Sequence, residues 1–321
     1  MWKTIVRRIL ILIPQLFILS LLIFILAQLM PGDALRGVVG PDISPDRLAE
    51  LRAIHGLDDP WYLQYIRWLT AIITQGDFGR SISHMRPVTD IIGERLINTV
   101  RLSFLTTLLT YLIAIPLGII AAKRHGRAID RGIMIYTFVA LSMPTVVFSL
   151  VNLLIFGFNL SWFPVSGSVD ARILTGSLPY IISRMHHLIL PAITLALIST
   201  IGIIYFLRSE IIDYETADFV TTARSKGVPE KVVYTRHILR NSLLPIAAGA
   251  GSVIIGLFAG SIFIERIFSY PGMGQLFIDS IVARDFPVAN TLVMFYAILT
   301  VLSILVSDIV ITLVDPRIRI K

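Results

Sequence analysis

The chain has 321 residues, of which 55% are apolar and only 15% charged, with a formal net charge of +7 and no cysteine. An average soluble domain carries roughly 25% charged residues, and here the apolar residues come in long blocks, which excludes a soluble enzyme, a disordered chain and a disulfide-stapled scaffold. Without cysteine there is neither a thiol nucleophile nor a cysteine metal site, and a positive excess in such a chain points to basic cytoplasmic loops rather than to nucleic acid.

A helix that crosses a bilayer needs about 20 mostly apolar residues. Six charge-free stretches meet that length: Ile9–Met30, Leu102–Ala122, Gly132–Phe158, Leu188–Leu207, Leu243–Ile264 and Phe286–Ser307. A backbone in lipid must satisfy its own hydrogen bonds, so stretches this long read as helices. Barrel strands would be about 10 residues with strict alternation. The first stretch follows Lys3, Arg7 and Arg8, as in a signal peptide. A signal core, however, runs about 7–15 residues to a small-residue site, and this stretch ends Ala27-Gln28-Leu29-Met30-Pro31. It is read as an uncleaved first helix.

Lys and Arg in the loops set the orientation. The segments 1–8, 123–131, 208–242 and 308–321 hold 16 of them in 66 residues; the opposite loops 159–187 and 265–285 hold 4 in 50. The segment 31–101 is too long to count. The expectation is an all-α integral membrane protein with six transmembrane helices and both termini cytoplasmic. In chain order, 1–30 is an anchor helix and 31–101 an extracytoplasmic segment. Residues 102–307 form a transmembrane core with a cytoplasmic loop at 208–242, and 308–321 a cytoplasmic tail.

In the outer segment, helical apolar spacing predicts helices at Asp46–Ile54 and Trp61–Ile73, split by Gly56-Leu57-Asp58-Asp59-Pro60. Trp61, Tyr62, Tyr65 and Trp68 lie close together there. They suit an interfacial aromatic belt or a surface that receives an external partner. Along the spans, Pro14, Pro116, Pro144, Pro191 and Pro245 interrupt the helices and allow kinks. Gly256 and Gly260 form a G-x-x-x-G that suits close helix packing. Ser142, Met143, Ser149 and Asn152 are candidates to line a pathway; the polar ones serve equally as interhelical hydrogen-bonding groups.

The loop 208–242 mixes six basic with five acidic residues, which suits a folded, water-facing helical element rather than a nucleic-acid patch. Thr216, Phe219, Val220, Ala223 and Gly227 repeat at helical spacing and form one small, mostly apolar stripe. Gly227 suits a left-handed helix stop, and Pro229 and Glu230 suit the first turn of a second helix. Such an element docks in a partner's groove or packs on its own bundle.

These residues carry a family resemblance. Asp218-Phe219-Val220-Thr221-Thr222-Ala223-Arg224-Ser225-Lys226-Gly227 resembles the EAA loop of binding-protein-dependent ABC transporter permeases. Ala223 and Gly227 match that pattern, while Thr221 and Thr222 replace its Glu and first Ala. The form and the long interval to Pro245 resemble the dipeptide/oligopeptide branch. Leu29-Met30-Pro31-Gly32-Asp33, Glu265 through Gly274, Asp315-Pro316-Arg317-Ile318-Arg319, and the stretch from Leu57 to Ser81 agree, in order, over nearly the whole chain. The resemblance implies an ABC type I importer permease fold in a bacterial or archaeal cell membrane. It implies two cytoplasmic ATPase subunits, a second permease subunit (usually a paralogue) and an extracytoplasmic peptide-binding protein. The coupling contacts would fall on Thr221, Thr222, Ala223, Arg224, Lys226, Gly227, Val228, Pro229 and Glu230, and the receiving surface on Trp61, Tyr62, Tyr65 and Trp68. Oligopeptide is the first expected cargo; dipeptide, nickel chelate and glutathione are the alternatives.

The sequence has no G-x-x-x-x-G-K-[ST] to cradle phosphates, so no catalytic residue, cofactor or metal is expected in this chain. Among rivals, a secondary transporter or channel would favour ionisable groups within spans, and the six stretches hold none. A membrane hydrolase lacks an H-E-x-x-H, and the adjacent His186 and His187 do not face one way on a helix.

Overall fold

In the computed structural model the described residues are 2–29, 50, 58–249, 253 and 255–314. The helix expected at Asp46–Ile54 falls outside them except for Glu50, and the motifs at 29–33 and 315–319 do so except for Leu29. Among the described residues the chain is helical without strands. Its order is α1 (Trp2–Leu29), α2 (Trp61–Gln75), α3 (Val88–Lys123), α4 (Ala128–Ser142), α5 (Thr145–Asn152), a π-helical segment Leu153–Asn159, α6 (Leu178–Glu215), α7 (Asp218–Ser225), α8 (Glu230–Val232), a second π-helical segment Val233–Leu239, α9 (Arg240–Ala248), α10 (Ile262–Ile267), α11 (Met273–Val282) and α12 (Phe286–Val314).

Local chemistry explains the boundaries. Gly76, left-handed at φ +64, ends α2, where its N–H donates to Ile72 O and that of Asp77 to Ala71 O. Ser177 caps α6 by accepting from the Tyr180 N–H. Pro116, Pro191 and Pro245 sit inside α3, α6 and α9. Pro144, expected to allow a kink, breaks the chain: the span expected at Gly132–Phe158 is two pieces, Ala128–Ser142 and Thr145–Asn159, bent by 106°. Proline offers no N–H and pushes the preceding residue out of the helical region. Met143 accordingly has φ −90 and ψ 125.

By length and composition α3, α6 and residues 286–307 can each cross a membrane, and the bent pair adds a fourth crossing if it counts as one span. The stretches Ile9–Met30 and Leu243–Ile264 fall partly outside the described residues. Within the second, α9 ends at Ala248, Val253, Ile255 and Gly256 are helical again, and α10 begins at Ile262. Gly260 is left-handed at φ +72, and a Cβ on Gly256 would meet nothing within 4 Å. Among the described residues no neighbouring helix meets the G-x-x-x-G at Gly256, and at Gly260 the backbone is no longer helical.

The chain divides into two compact units. The first is Met1–Thr99 with Pro271–Leu305. Its core joins Val88 and Ile91 to Met273, Leu276, Val288 and Leu292. Asn98 Nδ2 donates to Pro271 O at 2.9 Å, and the Met273 N–H to Thr99 Oγ1 at 2.8 Å. Asp285, 1% exposed, accepts from Ser81 Oγ and from the Ile82 and Ser83 amides. Tyr65 meets Ser20 at 2.8 Å and lies edge-on to Phe24.

The second unit is Val100–Tyr270 with Val306–Lys321. One core joins Leu102, Leu153, Leu188, Leu190, Ile264, Phe268 and Tyr270. The other lies under the loop 208–242 and joins Ala122, Leu207, Ile211, Val220, Ala223, Val233 and Ile238. Helix α6 has 38 residues, about 57 Å at 1.5 Å per residue, against a hydrocarbon core of about 30 Å. It is long enough to extend well past the membrane and carry the loop at its end.

Candidate functional site

Two residues, Thr216 and Ala217, separate α6 from α7, and the chain then folds back on α6. Val220 has no exposure and Ala223 is 7% exposed; both pack with Leu207 and Ile211 of α6 and with Val233 and Ile238 beyond the turn. The apolar stripe is thus mostly spent inside the chain. Phe219 stays exposed beside Tyr214, 5.8 Å between ring centroids. Ala223, expected among the coupling contacts, is a packing residue. Thr221, Thr222, Arg224, Ser225, Lys226 and Gly227 are exposed on the other side, followed by half-buried Val228 and exposed Pro229 and Glu230.

The stop at Gly227 has a definite geometry. Gly227 is left-handed at φ +74. Its N–H donates to Arg224 O at 2.9 Å and the Val228 N–H to Ala223 O at 3.2 Å, the paired bonds of a Schellman stop. Pro229 then precedes Glu230 at the start of α8. The expected helix, glycine turn and second helix are all present. The second helix differs in its middle, Val233–Leu239, which is π-helical and holds Val233 and Ile238 without exposure. Lys123 Nζ lies 4.1 Å from the centroid of the Tyr234 ring, a cation over an aromatic face. Burial pushes the Tyr234 hydroxyl up to about 12.

Arg224 ties the element together. It donates from Nη2 to Glu230 Oε1 at 2.7 Å, from Nε to Oε2 at 3.2 Å and from Nη1 to Glu215 O at 3.2 Å. The pair raises the arginine and lowers the carboxyl, the hydrogen bond being the main cause.

A second polar group, not singled out by motif, stands beneath this element. Asp130 in the first turn of α4 is 3% exposed. It accepts from Arg208 Nε at 2.7 Å, from Arg208 Nη2 at 2.8 Å and from the Gly126 N–H at 2.8 Å. His125 Nδ1 is 3.3 Å from Asp130 Oδ2. Both residues lie in the basic segments flanking the charge-free stretches. The Arg208 hydrogen bonds lead in holding the Asp130 carboxyl down to about 2.

The other predicted residues separate. Ser142 is exposed and Met143 half-buried at the bend, with Ser142 Oγ donating to Phe138 O at 2.7 Å. Ser149 has no exposure and donates to Thr145 O; Asn152 is 8% exposed and donates to Phe148 O. The polar groups of Ser149 and Asn152 are thus used within their own helix. Trp61 and Tyr62 are exposed, whereas Tyr65 is buried and Trp68 half-buried against Phe24 of α1.

A helical membrane chain with bent spans and a glycine-stopped loop helix is the architecture of a type I ABC importer permease. The family model described as "Binding-protein-dependent transport system inner membrane component" matches residues 114–320, and its N-terminal companion, "Binding-prot-dependent transport system membrane comp, N-term", matches residues 1–103. The oligopeptide transport system permease protein AppB of Bacillus subtilis (strain 168) is 39% identical over 98% of both chains. The dipeptide transport system permease protein DppB of Lactococcus lactis subsp. cremoris (strain MG1363) is 35% identical, and the glutathione transport system permease protein GsiC of Escherichia coli (strain K12) 32%, each over 100% of both chains. A chain of the MetNI methionine ABC transporter in inward-facing conformation superposes with a TM-score of 0.53 at 14% identity, covering 71% of this chain and 97% of that one. The chain belongs to the binding-protein-dependent transport system inner membrane component family: it is a multi-pass membrane permease subunit of an ABC importer.

Proposed function

We propose that this permease imports oligopeptides, with dipeptides and glutathione as the alternative cargoes, and that it forms half of a translocation pathway with a second permease subunit. Two cytoplasmic ATPase subunits supply the energy, and an extracytoplasmic peptide-binding protein delivers the cargo. Six spans with both termini cytoplasmic place the loop 208–242 on the ATPase side. No catalytic group, cofactor or nucleotide site is needed in this chain.

The observation that carries this reading is the geometry of α7. Its apolar side is seated on α6, and its polar side ends in the Gly227 stop with Thr221, Thr222, Lys226 and Glu230 in the open. A rigid, short, polar-faced helix at the end of a long span is suited to sit in a groove of another subunit. ATP binding draws two such helices together and switches the access of the pathway, a two-state change biased by nucleotide. Peptides are zwitterions, and burying their termini unpaired in lipid is costly, so a water-filled path between two permeases suits them. In this reading Ser142 and Met143 at the bend line such a path, and the exposed Trp61 and Tyr62 meet the binding protein.

The test is uptake of labelled peptides of graded length into vesicles holding the complete complex. Import that needs ATP and survives a collapsed proton gradient is expected. Import without ATP would overturn the reading, and a preference for dipeptide or glutathione would replace the cargo.

A further inference from the structure

The coupling element does not move alone. Val220, Ala223, Val233 and Ile238 pack on Leu207 and Ile211 of α6, and Arg224 donates to the carbonyl of Glu215, the last residue of α6. The element and the end of α6 therefore form one packed body. One side chain of that body, Arg208, reaches a different helix. It holds the buried Asp130 of α4 by two hydrogen bonds at 2.7 and 2.8 Å, and its Nη2 lies 2.7 Å from His125 Nδ1. Asp130 is fixed in turn by the Gly126 N–H at 2.8 Å, which the left-handed Gly126 (φ +75) aims at it. Farther along the same helix pair, Tyr136 Oη lies 2.8 Å from Leu197 O, to which it donates, and 2.9 Å from Thr200 Oγ1. Helix α4 is thus tied to α6 at two levels and ends at the 106° bend, where the chain turns into Thr145–Asn159.

We propose that Asp130 and Arg208 are positioning residues that make α4 travel with the coupling element, so that a stroke received at Asp218–Glu230 is delivered to the bend at Met143–Pro144. Two features suit the pair to that task. A planar guanidinium held by both oxygens of one carboxylate resists rotation as well as separation, and partial burial reduces its screening by salt. The bend suits the receiving end: Pro144 supplies no N–H, so α4 and α5 are joined there without the backbone bonds that would stiffen a continuous helix. Force on α4 then alters the angle at Met143 and moves the segment that follows.

The inference rests on the import reading above and is tested separately from it. Asp130→Asn and Arg208→Gln are compared with wild type in proteoliposomes holding the complete complex, with ATP hydrolysis and peptide import measured on the same preparation. The expected result is ATP hydrolysis that still responds to loaded binding protein, with peptide imported per ATP lowered about tenfold, a magnitude usual for coupling between sites. Should either single variant fail to assemble, Asp130→Asn combined with Arg208→Gln leaves a neutral hydrogen-bonding pair in the same space and is read in the same way. A wild-type ratio of import to hydrolysis in assembled variants overturns the proposal, and so does a parallel fall of both activities, which would make the pair a general structural prop. A wild-type complex that imports peptide without ATP removes the import reading itself, and this inference with it.

Discussion

Arg224 reaches across the Gly227 turn to Glu230, Nη2 to Oε1 at 2.7 Å, and with Nη1 holds Glu215 O at 3.2 Å. One side chain thus joins the end of α6, the loop helix α7 and the start of α8. The group is solvent-exposed, and exposed pairs contribute little to stability. Its effect is to set the angle at which α7 leaves the membrane helix.

Arg224→Lys and Glu230→Gln are therefore expected to leave the thermal midpoint unchanged while both lower ATP hydrolysis stimulated by loaded binding protein. Because the two act as one clamp, the double variant should be no worse than either single one. Additive losses in that double-mutant cycle would assign Arg224 a separate contact with the ATPase.

At Gly227 the constraint is the backbone and not space, since beyond its chain neighbours no atom of the described residues lies within 4 Å of where a Cβ would stand. Gly227→Ala should cost about 1–2 kcal/mol for holding an L residue left-handed. Gly227→Asn should cost less, because Asn tolerates that region, and Gly227→Val more. Thermal unfolding of the purified complex measures the order. Equal losses for Ala and Asn would contradict the backbone argument.

The two sides of α7 should respond oppositely. Val220→Ala opens a cavity in the core under the loop and is expected to destabilise by roughly 1–3 kcal/mol. Thr222→Lys changes an exposed side chain and should leave stability within about 0.5 kcal/mol, yet lower stimulated ATP hydrolysis by obstructing the docking face. Proteolysis rates and ATPase assays on the same preparations separate the two effects. Stable but inactive Val220→Ala would reverse the assignment of faces.

The aromatic residues after Pro60 should divide as the structure divides them. Tyr65→Ala removes the ring packed on Phe24 and the hydroxyl paired with Ser20; roughly 3 kcal/mol is expected for a buried aromatic. Trp61→Ala and Tyr62→Ala should instead keep the melting temperature and weaken stimulation by the binding protein. The measurement is stimulated hydrolysis against binding-protein concentration.

The Asp130–Arg208 joint should depend on pH in one direction only. Asp130 is held to about 2 from a usual value of 3.8, so its stabilisation is fully present above pH 3.8 and is lost as the pH falls through about 2. The shift corresponds to about 2 kcal/mol. Wild type should therefore lose this increment between roughly pH 4 and pH 2, whereas Asp130→Asn should lack it at every pH. Thermal melts of both across that range measure the difference.

Much of this was legible in the sequence because it depends on near neighbours. An apolar run long enough to cross lipid must close its own hydrogen bonds, so Leu102–Ala122 and Leu188–Leu207 read as helices without any knowledge of the fold. A left-handed stop needs a residue without a Cβ, so Gly227 announces its turn, and the motif around it announces the family. The faces did not follow in the same way. Helical spacing placed Val220 and Ala223 on a stripe, and polarity made Ser149 and Asn152 candidates to line a pathway, but neither signal says whether a groove, a pathway or the chain's own bundle covers the residue. The long helix α6 covers the first two, and Ser149 and Asn152 bond back into their own helix. Nor does spacing pair charges that are far apart in the chain. Asp130 and Arg208 are 78 residues apart, and each looked like an ordinary loop charge until helices α4 and α6 came together and left the carboxylate little water to face. Sequence alone thus determined the membrane class, the loop and its stop, because their causes are local. Tertiary structure alone decided which side chains are free to meet a partner and which charge joins one helix to another, because burial is a property of what packs alongside.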